Sequence, residues 1–166
     1  MYSVGEVVIY STQGVCRVKE ISTMKFGSTK GEYYILTPVS DSRSVVYVPT
    51  ANPALVAKMR PILCRQELDS LMADISGEHQ EWISDDSQRK DYCDRVIKGG
   101  DRREIMRLME MLYLRREALK DQKKHFHNVD AQYLKTAERM LFDEIAYVTG
   151  ISLEEVPDYI SSHLIK

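Results

Sequence analysis

The sequence contains no apolar run that approaches the ~20 residues needed to span a membrane. Its N-terminus, MYSVGEVVIY, lacks a basic segment followed by an apolar core, so we expect no signal peptide. Cysteine is scarce: Cys16, Cys64 and Cys93 lie far apart, and an odd number cannot all pair within one chain. These absences predict reduced thiols and a cytoplasmic protein without a membrane partner.

The motifs that mark common enzyme classes are also missing. There is no GxxxxGK[ST], no GxGxxG and no GxSxG. His125 and His127 flank one phenylalanine, but no third ligand follows at a recognisable metal-binding spacing. Asp85 and Asp86 suit the start of a helix, where the helix dipole favours acidic side chains. We therefore expect no enzyme activity, no cofactor and no metal centre.

What is present is an uneven distribution of charge. The 166 residues carry a net charge of −2, and their length allows one or two small domains. Residues 89–124 contain 12 Lys/Arg against 7 Asp/Glu, whereas residues 125–166 contain 3 against 7. This balance argues against strong nonspecific binding to nucleic acid, but it permits a local phosphate-facing surface.

The first third of the chain has the pattern of short strands joined by turns. β-branched and aromatic residues alternate with polar ones, and glycines frame a predicted loop at residues 26–31. Residues 59–62 predict a closing strand, which Pro61 would place at an edge. We expect a small antiparallel barrel or curled sheet over residues 1–63, with strands at residues 4–10, 15–24, 32–39 and 44–48.

From Arg65 onward the apolar period becomes helical, and the stretch at residues 99–121, in which Gly99-Gly100 is a break, contains the helix predicted at the centre of this half. Asp101 is its predicted N-cap, and Glu104 completes a capping-box pattern. Because Met106 and Met111 extend its apolar face, we expect neighbours on several sides. Asp130 is predicted to cap a later helix, and Ser152 with Glu155 to open the last one. The fold class is thus α+β, with an all-helical domain at residues 64–166.

Binding candidates in the helical half centre on the only tryptophan. Trp82 either fixes the start of the next helix by packing against its first turn, or is exposed to contact a base step. Helices meeting at Gly99-Gly100 would bring Lys98, Arg102 and Arg103 together. Such a group forms either a solvated charged face or a phosphate-contacting surface.

Two parts of the sequence resemble one known family. The pattern VGEVVIYSTQGVCRVKEI, followed by YYIL and VVYVP, resembles the RNA-polymerase-interacting domain of the CarD/CdnL family of bacterial transcription regulators. A similar module occurs in transcription-repair coupling factors. The break at Gly100-Asp101, the long helix with paired arginines and the segment LKTAERMLFDEIA resemble the helical half of the same family.

The resemblance implies a mechanism of binding without catalysis. A Tudor-like β domain would dock on the β subunit of bacterial RNA polymerase. The helical domain would reach promoter DNA at the upstream edge of the melted region, with little sequence specificity, and would stabilise the open complex. The protein would act as a monomer within this larger assembly.

The same resemblance, together with the basic middle of the chain, assigns individual residues. Polymerase would be contacted by Met24, Lys25, Val46 and Tyr47. The residues predicted to contact DNA are a tryptophan wedge and eight cations: Trp82, Arg89, Lys90, Arg95, Lys98, Arg102, Arg103, Lys123 and Lys124.

A protein-only adaptor is the alternative function. In that case the β domain binds one protein, the helical domain binds another, and Trp82 is structural. The acidic C-terminal helices and the acidic pair Asp85-Asp86 favour this alternative, because they would repel phosphate groups.

Overall fold

The computed structural model describes residues 1–75, 77 and 79–164. It divides into two compact units, Met1–Leu63 and Cys64–Lys166. The first contains a five-stranded antiparallel sheet and the second is built from helices, which confirms the α+β class. Within the described ranges, no helix combines the length and the apolar character that crossing a bilayer requires.

The sheet has the strand order β4-β3-β2-β1-β5. A short helix, α1 (Pro53–Val56), precedes β5, and the Asn52 side chain caps it by accepting a hydrogen bond from the Leu55 amide. Alternating apolar residues of the strands form one core beneath the sheet. The strands are β1 (Val7–Tyr10), β2 (Val15–Phe26), β3 (Thr29–Pro38), β4 (Val46–Pro49) and β5 (Met59–Pro61).

The hairpin between β2 and β3 is longer than the sequence indicated. The predicted loop at residues 26–31 is wrong, because pairing continues to Phe26 opposite Thr29, and Gly27 turns the chain with a φ of 61°. The ring of Phe26 contacts neighbouring aromatic rings, which explains why the strands continue to the tip. The predicted closing strand is present as β5, which pairs with β1 at the edge of the sheet.

Helix α4 is the centre of the second unit, as the sequence predicted. It contacts α2, α3 and α5, and Met106 and Met111 are buried along with its main apolar face. The helices of this unit are α2 (Arg65–Ile75), α3 (Asp86–Gly99), α4 (Arg102–Asp121), α5 (Asn128–Thr149) and α6 (Val156–Leu164).

The predicted N-caps at Asp101 and Ser152 are present, but among the described residues no bond from the Asp101 amide to Glu104 completes the capping box predicted for α4. Asp101 accepts a hydrogen bond from the Glu104 amide at 3.0 Å, and Ser152 with Glu155 forms a capping box that leads into α6. The predicted cap at Asp130 is wrong, because α5 begins at Asn128 and Asp130 is buried within its first turn. Its carboxylate accepts a hydrogen bond from Arg89 of α3 instead.

Candidate binding surfaces

The exposed edge of the β unit is formed by β4. It pairs with β3 on one side only among the described residues, with Tyr47 opposite Ile35 and Val46 opposite Leu36. Tyr47 is 42% exposed, so much of its ring is accessible at this edge. A strand edge with an exposed aromatic residue can bind a protein through both backbone and side chains.

An aromatic cluster joins this edge to the β2–β3 hairpin. The ring centroid of Phe26 lies 5.1 Å from that of Tyr33 and 5.3 Å from that of Tyr47. Phe26 follows directly after Met24 and Lys25, and its ring contacts Tyr47. The segments at residues 24–25 and 46–47, both predicted to face polymerase, therefore meet at this cluster. We name Phe26, Tyr33 and Tyr47 the aromatic edge. Because Phe26 and Tyr47 are both more than 40% exposed, the aromatic edge is an apolar surface suited to a protein partner.

Trp82 lies before α3 and is partly buried between two arginine side chains. The guanidinium carbon of Arg89 is 4.5 Å from a ring centroid of the indole, and that of Arg115 is 4.9 Å away. These are cation–π contacts, typically worth about 0.5–2 kcal/mol each. Arg89 belongs to the first turn of α3. The indole therefore packs against the first turn of the following helix, which is the contact expected if Trp82 is structural. Part of the indole nevertheless remains accessible.

Arg89 is not presented to phosphate groups, and we withdraw it from the predicted DNA contacts. It is 6% exposed, and its Nε donates to Asp130, which is 3% exposed, at 2.9 Å. Its other nitrogens donate to the Ile83 carbonyl at 2.9 Å and to Asp86 at 2.7 Å. Burial acts to lower the pKa of Arg89, but these hydrogen bonds raise it above its ordinary value. Arg89 therefore ties the Trp82 segment to α3 and α5.

Arg102 also has a structural partner inside the helical unit. Its Nε and Nη2 bind the two oxygens of Glu144 at 2.8 and 2.6 Å, and Glu144 is 1% exposed. This bidentate geometry commits the guanidinium to a buried carboxylate. The Arg102 side chain is 18% exposed and its guanidinium is held by this carboxylate, so we no longer expect it on a phosphate-contacting surface.

The remaining two arginines of the predicted set are exposed and make surface ion pairs. Arg95 lies 3.5 Å from Glu104, and Arg103 pairs with Asp74. Exposed pairs of this kind contribute little to stability, so phosphate could replace either carboxylate at small cost. Arg95 and Arg103 therefore stay predicted contacts.

The four lysines are exposed and fall into two groups. Lys90 follows the N-terminus of α3, and Lys123 and Lys124 follow the C-terminus of α4. The Arg89–Asp130 bond joins the N-termini of α3 and α5, so these three lysines and Trp82 lie at one end of the unit. We name this the tryptophan end. Lys98 lies at the other end of α3, a helix about 20 Å long.

The backbone at Lys123 is unusual and bears on its role. Its φ is 55°, a left-handed conformation that favours glycine. The amides of Lys123 and Lys124 donate to Lys120 and Leu119 at 2.9 and 2.8 Å, which is the Schellman pattern at the end of α4. A lysine thus occupies the position where glycine is usual, which is more costly for the backbone.

Asp130 and Glu144 were not predicted as the partners of two arginines that the sequence assigns to DNA. Both acids lie within the apolar face of α5, close to Leu134 and Ile145. An acidic residue at a core position of a helix is rarely buried without a cation, so this pattern was an available signal. Each acid pairs with an arginine about forty positions away in the sequence, so local patterns cannot predict which arginine it binds.

The cysteines provide a chemical test of this packing. Cys64 is exposed, whereas Cys16 and Cys93 are fully buried. Burial, with a smaller contribution from Asp130, raises the pKa of the Cys93 thiol to about 11, so it stays protonated and unreactive near neutral pH. We expect DTNB to label Cys64 alone in the native protein and all three thiols after denaturation.

The control for this experiment is Cys64→Ser. That variant should show no rapid labelling while the protein is folded. Rapid labelling of a second thiol in the wild-type protein would mean that the packing of α3 against α5, or of the β core, is looser than described.

Comparison with known proteins identifies the first unit. The family model described as "CarD-like/TRCF RID domain" matches residues 2–63. A comparison with curated proteins finds no match to the chain. Across the described ranges, no three His, Cys, Asp or Glu side chains group as a metal site. The matched domain is an RNA-polymerase-interacting module, which supports interaction with polymerase and a role related to transcription. The N-terminal unit of this chain is therefore a CarD-like/TRCF RID domain, as the resemblance predicted.

Proposed function

We propose that this protein is a non-enzymatic transcription regulator of the bacterial cytoplasm, acting as a monomer. Its β unit binds the β subunit of RNA polymerase, and its helical unit contacts promoter DNA at the upstream edge of the melted region. The two contacts together stabilise the open complex. The observation that carries the proposal is the family match over residues 2–63.

The aromatic edge supports the polymerase contact. Tyr47 and Phe26 are large, exposed and in mutual contact, and they lie beside the backbone groups of the edge strand β4. Rigid aromatic side chains are frequent among the residues that dominate protein–protein affinity. Met24, Lys25 and Val46 flank this centre and belong to the same proposed interface.

The tryptophan end supports the DNA contact. Lys90, Lys123 and Lys124 supply exposed positive charge beside a partly accessible indole. A tryptophan that wedges at a base step, with lysines on phosphates, reads shape more than base identity, so low sequence specificity follows. Arg95 and Lys98 add exposed cations further along α3, and Arg103 adds one in the first turn of α4. The overall charge of −2 makes this contact weak unless polymerase presents the DNA.

The lifetime of promoter open complexes tests the proposal. Polymerase and promoter DNA are challenged with heparin, with and without the full-length protein. We expect the wild-type protein to lengthen the lifetime, and both Tyr47→Glu and the triple variant Lys90→Glu/Lys123→Glu/Lys124→Glu to abolish the effect. A triple variant that still binds polymerase and still lengthens the lifetime would contradict the DNA contact.

Lys123→Gly separates the proposed DNA role from stability. Glycine adopts the left-handed conformation without strain, so we expect the free energy of unfolding to rise by about 1 kcal/mol. The variant also removes one phosphate-binding cation, so the open complex should be shorter-lived and depend less steeply on salt. Urea denaturation and the heparin challenge measure the two effects.

The control for this pair of effects is Gly150→Lys. Gly150 has a φ of 75° at the end of α5, away from the tryptophan end, so a lysine there costs stability without adding a proposed contact. A Lys123→Gly protein that is more stable and fully active would exclude Lys123 from the DNA contact.

A protein-only adaptor is the second candidate function. The contacts of Trp82 with Arg89 and Arg115 favour it, because they give the indole a structural role without DNA. In that case the triple lysine variant keeps full activity, whereas Tyr47→Glu still loses it.

A further inference from the structure

A second surface of the β unit lies apart from the aromatic edge. It is a concavity of about 540 Å³, and Val4, Arg17, Lys19, Thr37 and Val39 are among its lining residues. None of the residues predicted to face polymerase lines it. We name it the basic concavity.

The ionisable groups of the basic concavity are all cationic. Arg17 and Lys19 line it, and no carboxylate does. Arg17 donates from Nη1 to the Gly5 carbonyl at 3.0 Å, and within the described part of the chain it makes no ion pair. Lys19 lies at an irregularity of β2, between Val18 and Glu20, where the register with β3 shifts. Both side chains therefore offer free N–H donors to an anionic partner.

Exposed apolar side chains complete this surface. Val4 is 61% exposed and Val39 is 47% exposed, so the concavity presents uncovered aliphatic surface between its cations. Thr37 is paired with Arg17 across β2 and β3. Its Oγ1 is buried and has no hydrogen-bond partner among the described residues. A buried hydroxyl without a partner is unusual.

We propose that the basic concavity binds an extended acidic segment of a partner protein, with an apolar side chain placed against Val4 and Val39. Carboxylates of the segment pair with Arg17 and Lys19. No aromatic residue lines the surface, so it lacks the stacking groups that single-stranded nucleic acid uses. This interaction is additional to the proposed function and uses different residues.

Fluorescence anisotropy with the full-length protein tests this proposal. The probe is a short fluorescein-labelled peptide that alternates glutamate with leucine, and the reference probe carries glutamine in place of glutamate. We expect the acidic probe to bind, to weaken with added salt, and to lose about tenfold in affinity with Arg17→Glu/Lys19→Glu. We expect the acidic probe to bind Val4→Ser/Val39→Ser more weakly than it binds the wild-type protein, with the same dependence on salt.

The matched control is Lys30→Glu/Lys58→Glu, which makes the same change in net charge with exposed lysines outside the concavity. It should bind the acidic probe nearly as well as the wild type. Failure of the wild-type protein to bind, or an equal loss in the control, would overturn the proposal. So would tighter binding of a labelled single-stranded oligonucleotide that Arg17→Glu/Lys19→Glu abolishes. Because Arg17→Glu/Lys19→Glu leaves the aromatic edge intact, it should still capture polymerase.

Discussion

Replacing Arg102 with methionine should lower the free energy of unfolding by about 3–5 kcal/mol, the usual cost of breaking a buried ion pair. Glu144 is 1% exposed, and the two side chains form a bidentate pair at 2.6 and 2.8 Å. Without the guanidinium, a carboxylate is left in the core of the helical unit with its main countercharge removed. Urea denaturation followed by circular dichroism measures the change.

Two variants make the Arg102 experiment decisive. Arg102→Met/Glu144→Leu removes both charges and should recover most of the lost stability, because well-packed apolar side chains can replace a buried pair. Arg103→Met removes the neighbouring exposed arginine, which pairs with Asp74, and should cost less than about 1 kcal/mol. If Arg102→Met and Arg103→Met are equally mild, Arg102 is not committed to Glu144 and returns to the predicted DNA contacts.

Tyr47→Glu should weaken the capture of RNA polymerase about a hundredfold, the effect expected of a central aromatic contact. The variant removes a ring that contacts Phe26 at the exposed edge and places a charge in a proposed apolar interface. Because Tyr47 is 42% exposed, the sheet itself should remain folded. Size-exclusion binding or surface-based kinetics with purified polymerase measures the affinity.

The matched control for Tyr47→Glu is Gln13→Glu. Gln13 is exposed in the short turn Ser11–Gln13, away from β4, and the change also adds one negative charge. It should bind polymerase as the wild type does. Unchanged capture by Tyr47→Glu, with the sheet intact by circular dichroism, would remove the aromatic edge from the interface.

Local patterns predicted the elements well because local forces determine them. The N-cap at Asp101, the capping box of Ser152 and Glu155, and the central position of α4 all follow from residues within a few positions of each other. The hairpin was predicted too short, because glycines in the sequence suggested a loop, whereas the Phe26 ring extends the strands through contacts with Tyr33 and Tyr47. Those contacts join residues of different strands, so the local sequence pattern does not reveal them.

The site was harder to predict because surface and buried arginines look alike in a sequence. Arg102 and Arg103 are neighbours with the same chemistry, yet one is held by Glu144 and the other by an exposed aspartate. The resemblance and the basic run together assign Arg89 to phosphate, whereas the structure pairs it with Asp130, which the sequence predicts as a helix cap. Local charge density indicates a cationic region, and only tertiary packing shows which cations face solvent.

The most direct test of the central claim, that one chain joins polymerase to promoter DNA, is site-specific photocrosslinking in the assembled open complex. A benzophenone amino acid replaces Tyr47 in one protein and the exposed Gln122, beside Lys123, in another. We expect the first to crosslink to the β subunit and the second to crosslink to DNA at the upstream edge of the melted region. Crosslinks from the Gln122 position to protein alone would contradict the account and establish the adaptor.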